Sequence, residues 1–217
     1  LLGNAAVTTQ YPVGIDLQGW RGASGVGGAF RTKNGEIQIV GRSSGATTSG
    51  VGLSVLAQDT DKRVVFAATG TGTVTLNGKA TGTSPTDFAV SSVDILAASG
   101  AIRLVGENTG VNFGSWPSAA TNYLGSRAGG LVTASTSDVY LTGNKFDFAS
   151  PAAVKTTGHV YAEPFGTSFT NAQTFSSNFT VDASATGLTF GKSGNTQGIT
   201  FTGAYSIGGP IDIYGGA

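Results

Sequence analysis

Apolar and polar residues alternate with a period of two along many short segments of this chain. Each segment has three to six residues and is followed by glycine, asparagine or serine, a pattern typical of half-buried β-strands. Helical spacing of apolar residues is scarce. The pattern therefore predicts an all-β protein. The clearest predicted strands lie within residues 14–19, 36–41, 73–78, 93–96, 101–106, 138–143, 187–191, 198–203 and 210–216.

The spacing of these strands fits two architectures. Gaps of roughly 8 to 12 and roughly 20 residues are typical of a β-sandwich or jelly roll, and also of a β-solenoid with two or three strands per turn. Hairpin-type Asn-Gly pairs occur only at Asn34–Gly35 and Asn77–Gly78, which favours the solenoid. At roughly 20 residues per coil and about 4.8 Å per rung, it would have about ten coils and span about 50 Å.

Two segments depart from the strand pattern. Residues 111–123 are interpreted as a longer loop or a distorted coil, and residues 146–179, rich in phenylalanine, are interpreted as irregular. The simplest organisation is one solenoid segment over residues 1–217. That segment is interpreted either as a short protein or as a fragment or processed piece of a longer secreted chain, because no signal-peptide pattern precedes it.

The composition excludes several functions. Only 11% of the residues are charged, and the 12 basic and 12 acidic residues cancel, so a nucleic-acid binder is not expected. Near-zero net charge weakens self-repulsion and favours association with copies of the same chain. Cysteine is absent, which excludes disulfides and thiolate chemistry. No apolar run approaches the roughly 20 residues of a membrane span.

The last third of the chain resembles a known family of secreted proteins. The segments Gly187–Thr196, Ile199–Ala204 and Ile207–Gly216 are similar to a repeat unit of the very large, filamentous-haemagglutinin-like bacterial adhesins, and residues 93–106 have a looser likeness. The resemblance implies a right-handed parallel β-helix, display on the bacterial cell surface, and a role in adhesion or biofilm formation. It implies no catalytic residues.

Exposed aromatic residues are the first candidate for binding chemistry. Trp20, Trp116 and Tyr123 are the residues best placed to stack on sugar rings, and they define an alternative function as a carbohydrate-binding module for surface glycans. Core packing is the more common role of such side chains. The structural role is therefore favoured over glycan contact.

Catalytic and metal chemistry have weaker signals. Asp59 and Asp61 could serve a polysaccharide lyase or hydrolase, with Asp138 and Asp147 as more distant carboxylates, but a solvated turn before a strand explains the pair better. The single histidine, His159, cannot build a multi-histidine metal site and is interpreted as an ordinary strand or loop residue. We therefore expect a non-enzymatic protein without a cofactor or a metal.

The segment near the C-terminal end of the sequence predicts a contact surface. A β-solenoid whose last strand is uncovered presents unpaired backbone groups and apolar side chains to another strand. Ile211, Ile213 and Tyr214 occupy such a strand, and no charged cap follows them. We expect head-to-tail or edge-to-edge association with copies of the chain, or continuation in a longer chain. The expected function is an adhesin stalk or a building block of an extracellular filament.

Overall fold

The regular secondary structure of the chain consists of short β-strands. The computed structural model describes residues 2–6, 13–19, 28–44, 50–57, 62–82, 84–114 and 120–216, and within these ranges it contains 21 strands and no helix. The predicted all-β class is confirmed. The strands are β1 (Leu2–Ala6), β2 (Val13–Gly19), β3 (Ala29–Thr32), β4 (Ile37–Ser44), β5 (Val51–Ala57), β6 (Val64–Ala68), β7 (Val74–Thr81), β8 (Thr86–Ser91), β9 (Val93–Ala97), β10 (Ile102–Gly106), β11 (Val111–Phe113), β12 (Asn122–Gly125), β13 (Val139–Gly143), β14 (Phe146–Phe148), β15 (Ala152–Lys155), β16 (His159–Glu163), β17 (Gln173–Phe175), β18 (Phe179–Val181), β19 (Gly187–Phe190), β20 (Ile199–Phe201) and β21 (Ile211–Ile213).

The strands form parallel sheets that the chain visits in turn. Sheet A has the order β1-β4-β7-β10-β13-β16-β19-β21, sheet B has β14-β11-β8-β5-β2, sheet C has β18-β15-β12-β9-β6-β3, and sheet D has β17-β20. Neighbours in a sheet are three strands apart in the chain, except at β19 and β21. All strand pairs of the described residues are parallel. A sandwich or jelly roll is built from antiparallel sheets, so the pairing excludes that alternative for the described residues.

The coils, each the stretch of chain between successive strands of sheet A, are longer and less regular than the sequence predicted. Ile37 pairs with Val74, so the coil between them is long. Val139 pairs with Val160, so the coil between those two residues is much shorter. Sheet A stacks eight strands, so the estimate of about ten coils was wrong. The reason is that similar strands that follow one another closely in the sequence belong to different sheets of the same coil.

Alternating apolar side chains of sheet A form continuous ladders in the core. Ile39, Leu76, Leu104 and Leu141 are in register on successive strands, and each is at most 1% exposed. Period-two alternation places these residues inside and their polar neighbours outside. The hydrophobic effect of these ladders stabilises the stack because each rung covers the apolar face of the rung before it.

A ladder of glycines marks the line where sheets A and B approach each other. Gly41, Gly78, Gly106 and Gly143 are in register on β4, β7, β10 and β13. A Cβ atom on Gly78 would overlap with the backbone oxygen of Asp87 in sheet B. No side chain fits there, so glycine is required for close approach of the two backbones.

The segment predicted to be irregular, residues 146–179, contains β14 to β18. Its strands are short, and phenylalanines fill many of the inward positions, so the alternation was hard to recognise. The interpretation as irregular structure was wrong. In the segment 111–123, β11 and the start of β12 flank residues 115–119, which lie outside the described residues.

Candidate functional sites on the outer faces

Tyr123 lies on the outer face of sheet C, among cationic side chains. The guanidinium carbons of Arg63 and Arg127 lie 5.2 and 5.3 Å from the centre of its ring, and the Lys155 nitrogen lies 5.8 Å from it. Such distances are typical of cation–π interactions. The half-buried ring of Tyr123 is therefore held by its own protein. Trp20 and Trp116, the other two candidate glycan contacts, lie outside the described residues.

Asp94 joins the two arginines beside Tyr123. One carboxylate oxygen lies 2.5 Å from Arg63 Nε and the other lies 2.7 Å from Arg127 Nη1. Arg63 is 6% exposed, and its Nη2 also donates to the carbonyl oxygens of Val93 and Thr121. Burial lowers the pKa of Arg63, while the negative charge of Asp94 acts in the opposite direction. The cluster gives a buried arginine a charged partner and several hydrogen-bond acceptors.

The segment between β12 and β13, residues 126–138, covers this part of sheet C. Val132 packs against Val65, Ala67 and Leu96, which form a second, smaller apolar cluster outside the main core. The Arg127–Asp94 ion pair lies at the start of the same segment. Together these contacts attach a long connection to the outer face of the sheet.

The turn before β6 was expected to be solvated. Its residues 58–61, which include the candidate carboxylates Asp59 and Asp61, lie outside the described residues. Arg63, which follows the turn, is buried beside Asp94. The part of the turn that is described is therefore attached to sheet C by an ion pair.

An aromatic row runs along the outer face of sheet A. Arg103, Tyr140 and Tyr161 are in register on β10, β13 and β16. The Arg103 guanidinium lies 4.2 Å from the centre of the Tyr140 ring, and the two tyrosine rings are stacked at 4.7 Å and 1°. Sequence reasoning missed this row because the three residues lie far apart in the sequence. Each ring face contacts a neighbour, so the row reinforces the stack along its axis.

His159 extends the aromatic row on β16. Its ring stacks on Tyr161 at 4.1 Å, and Nε2 lies 2.8 Å from Thr189 Oγ1 on the next strand. Gly187 is the register partner of His159, and a Cβ atom at Gly187 would overlap with the imidazole ring. His159 was interpreted as an ordinary strand or loop residue, and it lies at the start of strand β16, where its ring contacts Tyr161 and Thr189.

Asp87 is a buried carboxylate with a structural role. It is 0% exposed, and it accepts hydrogen bonds from the backbone N–H groups of Ala80 at 2.7 Å, Asn108 at 2.6 Å, Gly110 at 2.9 Å and also Thr109. These donors belong to the end of β7 and to the turn before β11. The carboxylate therefore holds two segments at the start of β8, where no substrate can reach it.

The three predicted assembly residues lie on and beside the last strand of sheet A. Ile211 and Ile213 on β21 are 40% and 53% exposed, and Tyr214 is 45% exposed. The register partners of the two isoleucines on β19 are Leu188 and Phe190, which are both fully buried. The same ladder positions are thus covered at β19 and uncovered at β21. Tyr123 belongs to another sheet and another coil, so the two groups of candidate residues do not form one site.

The described residues contain no group of three or more His, Cys, Asp or Glu side chains that could hold a metal ion. A helix long and apolar enough to span a membrane is likewise absent from the described ranges. No family model matches the chain, and neither a curated protein nor a solved structure is significantly similar to it. Contacts within the chain are therefore the basis for any functional assignment.

Proposed function

We propose that this chain is a right-handed parallel β-solenoid with a structural role at the bacterial cell surface, as an adhesin stalk or a subunit of an extracellular filament. The observation that carries the proposal is the in-register parallel ladder of sheet A, which ends in exposed apolar residues on β21. The right hand is supported by the general rule that crossover connections between parallel strands are right-handed.

Association through β21 follows from the chemistry of its two faces. Its inner face carries Ile211 and Ile213, which continue ladders that are buried at β19, and its outer face carries Asp212. Another parallel strand stacked on β21 would cover these side chains and pair with the strand edge. The proposed occupant is a second copy of this chain, stacked head-to-tail or edge-to-edge. In a longer parent chain, a following rung would take that place.

A structural rather than catalytic role is supported by how carboxylates are used. Asp87 accepts backbone hydrogen bonds and Asp94 pairs with two arginines, so both are engaged in holding the fold. Surface location rests on the likeness of residues 187–216, which contain β19, β20 and β21, to large secreted adhesins. Protease treatment of intact cells of the source bacterium tests it: a surface protein is cleaved, and an intracellular one survives.

The association test compares two faces of one strand. We expect the purified chain to form oligomers or fibres, measured by light scattering and negative-stain microscopy. The double variant Ile211→Lys/Ile213→Lys places charges on the inner face and should be monomeric. Asp212→Lys on the outer face is the matched control and should still associate. A wild-type chain that stays monomeric at high concentration would contradict the proposal, as would association that the double variant leaves unchanged.

A further inference from the structure

One wall of the stack is interrupted between β14 and β17. Sheet B ends at β14, and the strand of the next coil, β17, belongs to sheet D instead. In the same two coils, β13 pairs with β16 and β15 pairs with β18, so the other two walls are continuous. The interruption is therefore a local opening in a single wall of the stack.

Two side-chain amides bridge the opening at its ends. Gln173 Oε1 accepts a hydrogen bond from the Phe146 backbone N–H at 3.0 Å, and Asn178 Nδ2 donates to the Phe148 carbonyl oxygen at 2.8 Å. Gln173 is 3% exposed, and its Nε2 also donates to the Asn171 carbonyl at 2.7 Å. These amides replace the missing ladder bonds of β14 and keep β17 at a distance from it. The gap is thus held open by specific contacts.

The opening forms a cleft on the outer surface. Its volume is about 430 Å³, and its polar lining comes from both sides of the gap, with Lys145, Asp147, Asn171, Thr174 and Ser176 among the side chains. Ligand sites commonly have volumes of roughly 300 to 1,000 Å³. A smaller cleft of about 100 Å³ is also lined by Lys145 and Asp147 and extends to Asn112 and Thr86. The two clefts adjoin, and Lys145 and Asp147 lie between them.

The charged side chains of the two clefts are free to bind a ligand. Asp147 is in register with Asn112 on the outer face of β11 and β14. Asp147 and Lys145 are exposed, and the four ion pairs of the described residues include neither.

We propose that this cleft binds a neutral glycan. Sugar hydroxyls can donate to the Asp147 carboxylate, and the Lys145 ammonium and the threonine hydroxyls can donate to sugar oxygens. The charges of Lys145 and Asp147 cancel, which favours an uncharged ligand over an acidic one. The exposed Ala172 adds a small apolar surface beside these polar groups, which suits the carbon skeleton of a sugar ring.

An inserted peptide strand fits the opening less well. It would need the backbone groups of Phe146 and Phe148, which Gln173 and Asn178 already occupy. Displacing both amides would leave them without these bonds in a partly buried setting, at a cost in free energy. A glycan approaching from outside leaves both bridges intact. The proposal does not rest on association through β21, which lies on a different sheet.

The test screens the purified chain against an array of neutral oligosaccharides and measures each hit by titration calorimetry. We expect one class of neutral glycan to bind the wild-type chain. Asp147→Ala and Lys145→Ala should each weaken that binding by about tenfold, because each removes a hydrogen-bonding group. Asp212→Ala, an exposed aspartate on the outer face of sheet A, is the control and should bind as tightly as the wild type.

A blocking variant keeps the test informative if an alanine variant folds poorly. Thr174→Arg places a large side chain in the cleft from an exposed position and should abolish binding while the circular dichroism spectrum is unchanged. Absence of binding to every neutral glycan on the array would overturn the proposal. So would wild-type affinity in Asp147→Ala and Thr174→Arg, or binding of extended peptides instead of glycans.

Discussion

The coils formed by residues 37–143, here the first coils, and those formed by residues 146–205, here the last coils, share parallel stacking but differ in their interiors. In the first coils, sheet A contributes aliphatic ladders such as Ile39, Leu76, Leu104 and Leu141. In the last coils the same ladder continues as Ala162 and Phe190, and phenylalanines from several sheets meet.

Aromatic contacts follow different directions in the two regions. Phe113 of the first coils stacks on Phe148, its register partner in the same sheet, at 5.2 Å. In the last coils, Phe175 of sheet D lies 4.5 Å from Phe190 of sheet A and 5.9 Å from Phe179 of sheet C, measured between ring centroids. Rings therefore stack along a wall at the boundary between the two regions, and in the last coils they also make contacts across the interior.

Coil length changes where the two regions meet. The register of sheet A advances from Ile102 to Val139 in a long coil, and then only from Val139 to Val160 in the next, shorter one. In that shorter coil, large aromatic side chains fill the interior to normal packing density. The interruption of sheet B and the end of the glycine ladder at Gly143 occur at the same place. One topology thus accommodates two packing solutions.

The largest expected effect on the free energy of unfolding comes from removing a buried aromatic ring of the last coils. Phe175→Ala removes a fully buried ring that contacts rings of three sheets, and should reduce the free energy of unfolding by about 3 to 5 kcal/mol. Leu76→Ala in the first coils should cost about 2 to 5 kcal/mol, and less than Phe175→Ala, because aromatic pairs add about 0.5 to 1.5 kcal/mol beyond burial. Guanidinium unfolding followed by circular dichroism measures both.

The control for this pair is Thr174→Ala, next to Phe175 on the exposed side of β17, which should change stability by less than about 0.5 kcal/mol. A loss at Phe175 no greater than that at Leu76 would show that the crossing rings add nothing to the packing of the last coils. The difference between the two regions would then be one of composition alone.

The second prediction concerns the glycine ladder, which ends at Gly143 before the last coils. Gly78→Ala forces a methyl group against the backbone oxygen of Asp87, so the two sheets must separate, and we expect a loss of roughly 1 to 3 kcal/mol. Gly166→Ala, at an exposed glycine of the last coils where the nearest atom to a new Cβ is 4.0 Å away, is the matched control. Thermal unfolding should show a lower Tm for Gly78→Ala only. Equal Tm values in the two variants would contradict a required close approach at Gly78.

Much of the architecture was predictable from local pattern. The predicted strands at residues 36–41, 73–78 and 101–106 correspond to β4, β7 and β10, and the prediction of parallel pairing is confirmed. Coil length was not predictable, because alternation identifies a strand but does not say which sheet it joins. The difference between long and short coils can be seen only when it is known which strands pair.

The candidate sites were less predictable for the same reason. Asp94 lies in the predicted strand at residues 93–96 with no charged neighbour in that strand, yet it pairs with Arg63 and Arg127, which precede and follow it at a distance along the chain. The cleft depends on Gln173 reaching Phe146 across an interrupted wall. Contacts between residues far apart in the chain leave no periodic pattern in the sequence. The sequence therefore shows which residue types are present but does not show which of them are in contact.

The smallest expected effect on stability comes from the carboxylates that hold turns, which differ between the two regions. Asp87 of the first coils is fully buried, whereas Asp182 of the last coils is exposed and accepts hydrogen bonds from the Ser184 N–H at 2.9 Å and the Ser184 hydroxyl at 2.7 Å. Hydrogen bonding from the backbone N–H and then from the hydroxyl of Ser184 lowers the pKa of Asp182. The folded pKa is thus below the unfolded one, so the stability that Asp182 contributes is present above the unfolded pKa and is lost as pH falls through the folded pKa.

Ser184→Ala removes only the hydroxyl bond and should raise the pKa of Asp182 part of the way to its ordinary value, since the backbone bond remains. An NMR titration of the Asp182 side-chain carbon measures the change, with Ser193→Ala at another exposed turn as the control. Stability at neutral pH should fall slightly in Ser184→Ala and match the wild type in strong acid, where Asp182 is protonated in both states. An unchanged titration would mean that the turn of the last coils is held by Ala185 N–H donating to the Asp182 carbonyl, without help from the carboxylate.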